Sequence, residues 1–411
     1  MQCAPCNAMA ASNRRVVLLV AEAVTLAHFA RIAALAKALD PARYVVVVAA
    51  DPRYAALDTE PSYTFQAIRS IPSAQFAQAL EQGKPVYDFA TLARYAEDDL
   101  RLIKAVKPDL IVGDFRLSLA ASAPVAGTPY ACVVNAYWSP YAAVEYPVPE
   151  LPITRLLGAG AAQTLFNAVR PLAFAVHARP LNRLRRRYGL SSLGHDLRVS
   201  YTWGNHTLYA DVPELVPTRR LPANHRHIGP PLWSVGTPLP DWWQRLPEDK
   251  PVVLVTVGTS GQADLLPMTL SVLSGLPVTA IAATAGTVDP STVPENAFVS
   301  DFLPLEIAVK RSTLVICNGG SLTTYRALAS RVPVIGICSN MDQMLNMRAV
   351  ERIGGGVFLR AARVGPAELE RAVRAILRGG SYAEAAAHVA TSLAQVDASE
   401  RFRAFVSEVV G

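Results

Sequence analysis

Charge is scarce in this sequence. Asp, Glu, Lys and Arg make up 18 % of the 411 residues, against 51 % hydrophobic, which excludes a disordered chain and supplies apolar material for two cores. Lys and Arg outnumber Asp and Glu 39 to 33, a formal +6. The basic residues are scattered, so nucleic-acid binding is not read from them, and an anionic small molecule fits the excess equally well. Cysteine is rare: Cys3, Cys6, Cys132, Cys317 and Cys338. The Cys3/Cys6 pair lacks a second ligand pair at zinc-site spacing, and residues 1–13 read as a disordered tail. The other three lie in apolar runs and read as packing residues, with no disulfide framework, so a cytoplasmic location is expected. No Asp-x-Asp cluster occurs, and His206, His225 and His227 lack metal-ligand spacing, so neither metal nor cofactor is expected. No uninterrupted apolar run reaches the ~18–20 residues of a membrane span. Arg14–Leu39 looks superficially like a signal peptide, but Glu22, His28, Arg31 and Lys37 interrupt it.

What is present is alternation. Val16–Val20, Tyr44–Ala50, Leu110–Val112 and Tyr130–Asn135 are continuous apolar runs, and helix-like sequence such as His28–Leu39 separates them. Such runs mark strands buried on both faces, which predicts a doubly wound parallel sheet. The pattern restarts at Val252–Val257 and continues through Val278–Ala283, Ala297–Ser300, Leu314–Cys317 and Val334–Ile337. The prediction is therefore an α/β chain with two Rossmann-like domains, over 14–228 and 251–394. A Pro/Trp-rich linker at 229–250 joins them, and a C-terminal helix at 395–411 is positioned to pack back on the first domain. Between Leu151 and Leu190, Arg155, Arg170, Arg179, Arg183, Arg185, Arg186 and Arg187 punctuate apolar residues at helical spacing. This reads as surface helices with a solvated basic face; a membrane-surface or acceptor-docking helix pair is the alternative.

In doubly wound sheets ligands bind at the carboxyl ends of the strands. There the strongest signal is Asn318-Gly319-Gly320-Ser321-Leu322-Thr323, between a buried strand and a helix. Glycines let the backbone approach a ligand, and the helix start offers N–H groups to phosphate. Gly258-Thr259-Ser260-Gly261 follows another strand and suits the same diphosphate. Either loop alone is also compatible with a plain turn or cap. Asp342 and Gln343 combine a carboxylate with an amide, a mixture suited to sugar hydroxyls, although Asp342 could simply belong to a helix start. His28 lies at the first strand–helix connection and is a candidate general base; Asp114, just past Leu110–Val112, could orient it. The loop Asn135–Pro149, with Trp138, suggests an apolar acceptor wall, with ordinary loop packing the alternative.

These pieces in this order resemble the UDP-glycosyltransferase superfamily (glycosyltransferase family 1), most closely its bacterial macrolide and natural-product branch with the GT-B fold. The resemblance runs from about Val16 to the final helix and rests on Asn318–Leu328, Val332-Pro333-Val334, and Asp342-Gln343 through Asn346 to Gly354. It implies an inverting, metal-independent transfer of a hexose from a nucleotide diphosphate sugar, UDP- or dTDP-linked, to a hydroxyl of a small apolar acceptor. By match, His28 is the base and Asp114 its partner. Gly319, Gly320, Ser321 and Thr323 hold the diphosphate with Gly258 and Thr259 nearby, and Asp342 and Gln343 hold the sugar. Phe302, before Leu303-Pro304, stands where the family often stacks the nucleotide base.

The departures are Asn318 for a diphosphate-binding His, Leu322 for Gly, Arg326 for an acidic residue at the ribose, Leu305 for Gln, and Ala27 for Gly. Asn318 can still donate to phosphate, and Arg326 could pair with it directly. The substitutions leave open a catalytically degenerate nucleotide-sugar-binding protein, and the fold leaves open a sugar-nucleotide epimerase. The expected partners are the donor and the acceptor, with peripheral membrane contact as a further candidate and the oligomeric state unassigned.

Overall fold

The computed structural model describes residues 14–58, 61–150, 154, 158–233, 236–256, 265–284 and 293–411. Two all-parallel sheets carry the fold. The first comprises β1 (Arg15–Ala21), β2 (Tyr44–Ala50), β3 (Thr64–Ala67), β4 (Leu110–Asp114), β5 (Tyr130–Val134), β6 (His206–Tyr209) and β7 (His225–His227), in the order β3-β2-β1-β4-β5-β6-β7. The second comprises β8 (Val252–Thr256), β9 (Thr279–Ala283), β10 (Ala297–Ser300), β11 (Leu314–Cys317), β12 (Val334–Cys338) and β13 (Gly356–Arg360), in the order β10-β9-β8-β11-β12-β13. The expected central strands are present, with boundaries shifted by a residue or two. β3, β6, β7 and β13, which no continuous apolar run announced, complete the sheets.

Alternation within a strand explains the layering. Val17, Leu19 and Ala21 enter the core on one face of the first sheet, and Leu18 and Val20 enter the core on the other. The helix Ala398–Val410 covers the first of these faces, burying Phe402, Phe405, Val406 and Val410 beside Phe29 and Ile32. Chain connectivity places this helix after the second sheet, yet its apolar face belongs to the first, and Arg226 pairs with Glu408 at 2.8 Å to fasten it. Trp233 meets the Phe29 ring edge-on at 5.9 Å, while the Trp242 indole donates to the Val299 carbonyl at 2.8 Å. The connecting segment is thus anchored to one half at each end.

In each sheet the strand order reverses direction beside the first strand: between β1 and β4 in one, between β8 and β11 in the other. The helices following these strands leave to opposite sides and open a crevice, the place where such sheets bind ligands. Both halves thus offer a site at a switch point.

Candidate active site

β1 and β4 are in register, with Ala21 opposite Asp114. The turn after β1 leads into the helix Leu26–Lys37, whose third residue is His28. Adjacent strand ends therefore bring His28 and Asp114 together across 86 residues of sequence, with Nδ1 of the ring 2.8 Å from Asp114 Oδ1. A carboxylate can only accept, so the contact is an Nδ1–H donation to Asp114, which leaves Nε2 as the nitrogen that Asp114 does not engage; Arg31 Nη2 stands 3.2 Å from the same Nδ1. The His28 side chain is 16 % exposed and Asp114 only 1 %, so the imidazole remains reachable while the carboxylate is sealed.

Sealing a carboxylate requires a counter-charge, and Arg31 supplies it from one turn further along the same helix. Its Nε and Nη2 donate to the two Asp114 oxygens at 2.7 and 2.9 Å, and its Nη1 donates to Asn135 Oδ1 at 2.5 Å. Burial pushes the Asp114 carboxyl up, but Arg31 and His28 outweigh it and hold it below its ordinary value. Asn135 then donates to Asp211 Oδ1 at 3.0 Å, and Asp211 also accepts from the Ala136 amide and from the Tyr325 hydroxyl. Tyr325 lies on the helix Ser321–Ala329 of the second domain. A buried hydrogen-bonded chain therefore runs from His28 through Asp114, Arg31, Asn135 and Asp211 to the helix that begins the candidate phosphate site.

Phe115, directly after Asp114, has φ 57° and stacks on the His28 ring at 5.1 Å and 7° between planes. A left-handed conformation in a bulky residue costs on the order of 1–2 kcal/mol. Both flanking residues are fixed in buried ion pairs: Asp114 by Arg31, and Arg116 by Glu22 and Asp99 at 2.9 and 3.0 Å. The anchors on either side hold the backbone in this conformation, and the Phe115 ring limits rotation of the imidazole.

Past Phe115 lies a narrow crevice whose interior is nearly filled by side chains, with about 10 Å³ open to a water-sized group. Its lining includes Tyr87, Leu92, Leu117, Leu181, Ser200 and Tyr201. Phe115 contacts both Tyr87 and Tyr201. The Tyr87 hydroxyl and Ser200 Oγ are buried without a hydrogen-bond partner among the described residues. The loop expected to form the acceptor wall contributes differently: Trp138 reaches the crevice only through its edge contact with Tyr201 at 5.1 Å.

In the second domain, the turn after β11 is built from backbone. Gly319 has φ +81°, and a Cβ there would lie 2.6 Å from Cys338 Sγ and 2.7 Å from Met347 Cγ, so the loop requires glycine. Asn318 Oδ1 accepts from the Gly320 amide at 3.1 Å. Asn346 Nδ2 holds the Gly319 carbonyl and Thr324 Oγ1, both at 2.8 Å. The first intrahelical bond is Thr324 N–H to Gly320 O. The amides of Ser321, Leu322 and Thr323 precede it and have no carbonyl one turn earlier, which makes them natural donors to an anion. Ser321, Leu322 and Thr323 are half-buried at this mouth.

The other candidates are distributed around it. Asp342 Oδ1 accepts from the Trp138 indole at 2.8 Å, a contact between the two domains. Gln343 is buried, its Oε1 accepting from the Ser339 amide and hydroxyl at 2.9 and 3.2 Å; it therefore shapes the turn beneath Asp342. Phe302 is 68 % exposed and Leu303 is buried behind it, which leaves an aromatic face open at the end of β10. Gly258, Thr259 and Ser260 lie outside the described residues, as do Cys3 and Cys6. Arg326 does not take the phosphate role considered for it: its Nη2 donates to the Trp233 carbonyl at 2.6 Å and Glu306 stands 3.9 Å away. Cys132, Cys317 and Cys338 are buried, as expected of packing residues.

Arg31, Asn135, Asp211, Tyr325 and Phe115 escaped the sequence reading. Arg31 had a usable signal, standing three residues after His28 on the same helical face. Asn135 and Asp211 lie just past the strands β5 and β6.

Comparison with known proteins agrees with this architecture. Residues 274–400 match the family model described as erythromycin biosynthesis protein CIII-like, C-terminal domain. The chain is 52 % identical over 380 residues to a PGL/p-HBAD biosynthesis rhamnosyltransferase of Mycobacterium bovis (strain BCG / Pasteur 1173P2), covering 92 % of this chain and 84 % of the relative. It is 48 % identical over 379 residues to a PGL/p-HBAD biosynthesis glycosyltransferase of Mycobacterium tuberculosis (strain ATCC 25177 / H37Ra), covering 92 % and 89 %. Among solved structures, a spinosyn rhamnosyltransferase complexed with thymidine diphosphate superposes with a TM-score of 0.67 at 19 % identity, over 95 % of this chain and 99 % of the other. The chain thus belongs to the UDP-glycosyltransferase superfamily, in its bacterial natural-product branch with the GT-B fold, and is a hexosyltransferase.

Proposed function

We propose that the protein transfers a deoxyhexose of the rhamnose type from a dTDP-linked donor to a hydroxyl of a small apolar acceptor, with inversion and without a divalent cation. The observation that carries this reading is the His28–Asp114 pair at 2.8 Å, charge-balanced by Arg31 and set at the switch point opposite the glycine turn of the second domain. The relatives' rhamnosyltransferase name favours the sugar, and thymidine diphosphate in the spinosyn enzyme favours the nucleotide.

In the mechanism, the acceptor lies in the crevice beside Phe115, and its hydroxyl gives its proton to His28 Nε2 as it attacks the anomeric carbon. Asp114 stabilises the imidazolium that forms, and Arg31 keeps Asp114 ionised throughout. One displacement on the face opposite the departing diphosphate gives inversion. Charge grows on the leaving diphosphate at the start of the helix Ser321–Ala329, where amides and the hydroxyls of Ser321 and Thr323 receive it. Asn318 shapes this turn and adds an uncharged amide, so the leaving group is met largely by dipoles. Asp342 holds a sugar hydroxyl while the Trp138 indole keeps its carboxylate in place, and Phe302 stacks on the base. Domain closure around these groups excludes water as a competing nucleophile.

The test is transfer from dTDP-rhamnose and, separately, UDP-glucose to a panel of hydroxylated aromatic and aliphatic acceptors, with and without EDTA. The reading expects an EDTA-insensitive product from the dTDP donor, with the anomeric configuration opposite to the donor's. A retained configuration, or activity abolished by EDTA and restored by a divalent cation, contradicts it.

A further inference from the structure

The helix Ala159–Arg187 spans 29 residues and contains no Asp or Glu. Its inner side buries Ala162, Phe166, Phe174, Ala178, Leu181 and Leu184. That burial accounts for six of the helix's apolar residues and does not explain the larger ones left outside. On the outside, Leu165 is 41 %, Val169 43 % and Leu172 64 % exposed. Their spacing of i, i+4 and i+7 aligns them on one stripe. At about 100° per residue the stripe continues through half-buried Val176 to Arg179, Arg183 and Arg186, all three exposed. Apolar for its first half and cationic for its second, the stripe faces no carboxylate: none pairs with Arg179, Arg183 or Arg186 among the described residues.

Single exposed leucines are ordinary on protein surfaces. Three on one helical stripe, continued by arginines without a carboxylate partner (Arg183 lies over the Phe89 ring at 4.2 Å) on a carboxylate-free helix, are what a helix lying in a lipid interface carries. No helix among the described residues is long and apolar enough to cross a membrane, so the contact is peripheral. We propose that this stripe docks the protein on an anionic lipid surface. Leu165, Val169 and Leu172 enter the boundary between headgroups and acyl chains, and Arg179, Arg183 and Arg186 meet lipid phosphates. A nucleic acid would use the arginines and leave the leucines in water, so the apolar half favours lipid.

The adjoining side of the same helix supplies His177, Pro180 and Leu181 to the crevice beside Phe115. On the reading that this crevice takes the acceptor, docking places its mouth near the bilayer and defines the acceptor class. It is an amphiphile whose apolar body partitions into lipid and whose hydroxyl end is presented to His28.

The experiment is co-sedimentation of the full chain with vesicles of phosphatidylcholine alone, and with vesicles in which about one third is phosphatidylglycerol. Binding is expected to the anionic vesicles and to be weak with phosphatidylcholine alone. Leu172→Glu should abolish it and Arg179→Gln should weaken it about five-fold, with melting temperature and transfer to a water-soluble acceptor unchanged. Failure to sediment with anionic vesicles overturns the proposal, as does equal sedimentation of parent and both variants. A dimer in size-exclusion chromatography that Leu172→Glu dissolves, without vesicle binding, assigns the stripe to self-association and overturns it too. Sedimentation requires neither donor nor acceptor, so failure here leaves the transfer reaction standing, and failure of transfer leaves the docking surface standing.

Discussion

The two switch points of this molecule, which the proposed function assigns to one reaction, are made of opposite materials. The first, between β1 and β4, is a cluster of buried charge: Asp114, Arg31, and beneath them Glu22, Arg116 and Asp99, all with side chains under a tenth exposed. The second, between β8 and β11, is a turn of glycine and amide, with Asn318 where a cation could stand. The difference follows from what each has to handle. A general base needs a fixed tautomer and orientation, which a compensated ion pair supplies. A departing diphosphate needs many donors at once, which a helix start supplies without a titrating group. The two are joined through Asn135, Asp211 and Tyr325, so the comparison can be broken at either end or in the middle.

The largest effect should come from the charged end. His28→Ala should lower the transfer rate by about 10²- to 10⁴-fold and leave donor affinity near the parent's, read by initial rates and by calorimetry. Next is Arg31→Met, which leaves the Asp114 charge sealed without its partner. A stability loss of about 3–5 kcal/mol is expected by chemical denaturation. Gly319→Ala tests the backbone end. Its φ of +81° and the crowding by Cys338 and Met347 should cost about 1–3 kcal/mol of stability and weaken donor binding more than acceptor binding. The smallest effect belongs to the connection: Tyr325→Phe should cost about 1 kcal/mol and lower kcat while KM for the acceptor stays in place.

The ion pair also predicts a pH dependence. The Asp114 carboxyl is held below its ordinary 3.8 in the folded protein. Its contribution is fully present above that value and is lost as pH falls through the lower folded value. Asp114→Asn should therefore be less stable than the parent at neutral pH, and the gap between their denaturation midpoints should close in acid.

How much was legible follows the same division. The central strands announced themselves because both faces are buried and their sequences are continuous Val, Ile, Leu and Ala. β3, β6, β7 and β13 did not, although the edge strand β10 did. Thr64–Ala67 is mostly exposed, His225–His227 is half-buried, and β13 starts on Gly356 and ends in Arg360, so none carries a long apolar run. That His28 and Asp114 meet was readable from position, because each lies at or just past one of two adjacent strand ends. Arg31 was hidden in plain view, since a basic residue on a helix reads as solvated until the strand beside it is known to bury it. Asn135, Asp211 and Tyr325 meet only through tertiary contacts 76 and 114 residues apart in sequence, which no local pattern encodes. The donor turn was readable as glycines. That Gln343 Oε1 is taken by Ser339 while Asp342 meets Trp138 depends on side-chain directions set by the Asn340 cap and Ser339.

The most direct test of the central claim compares His28→Ala with the parent in two assays on one preparation: transfer from a dTDP-linked deoxyhexose and binding of that donor by calorimetry. The account predicts transfer reduced by at least about 10²-fold with the dissociation constant for the donor within about two-fold of the parent's. Transfer that persists at the parent's rate, or a loss of donor binding that matches the loss of transfer, would contradict the assignment of His28 as the base.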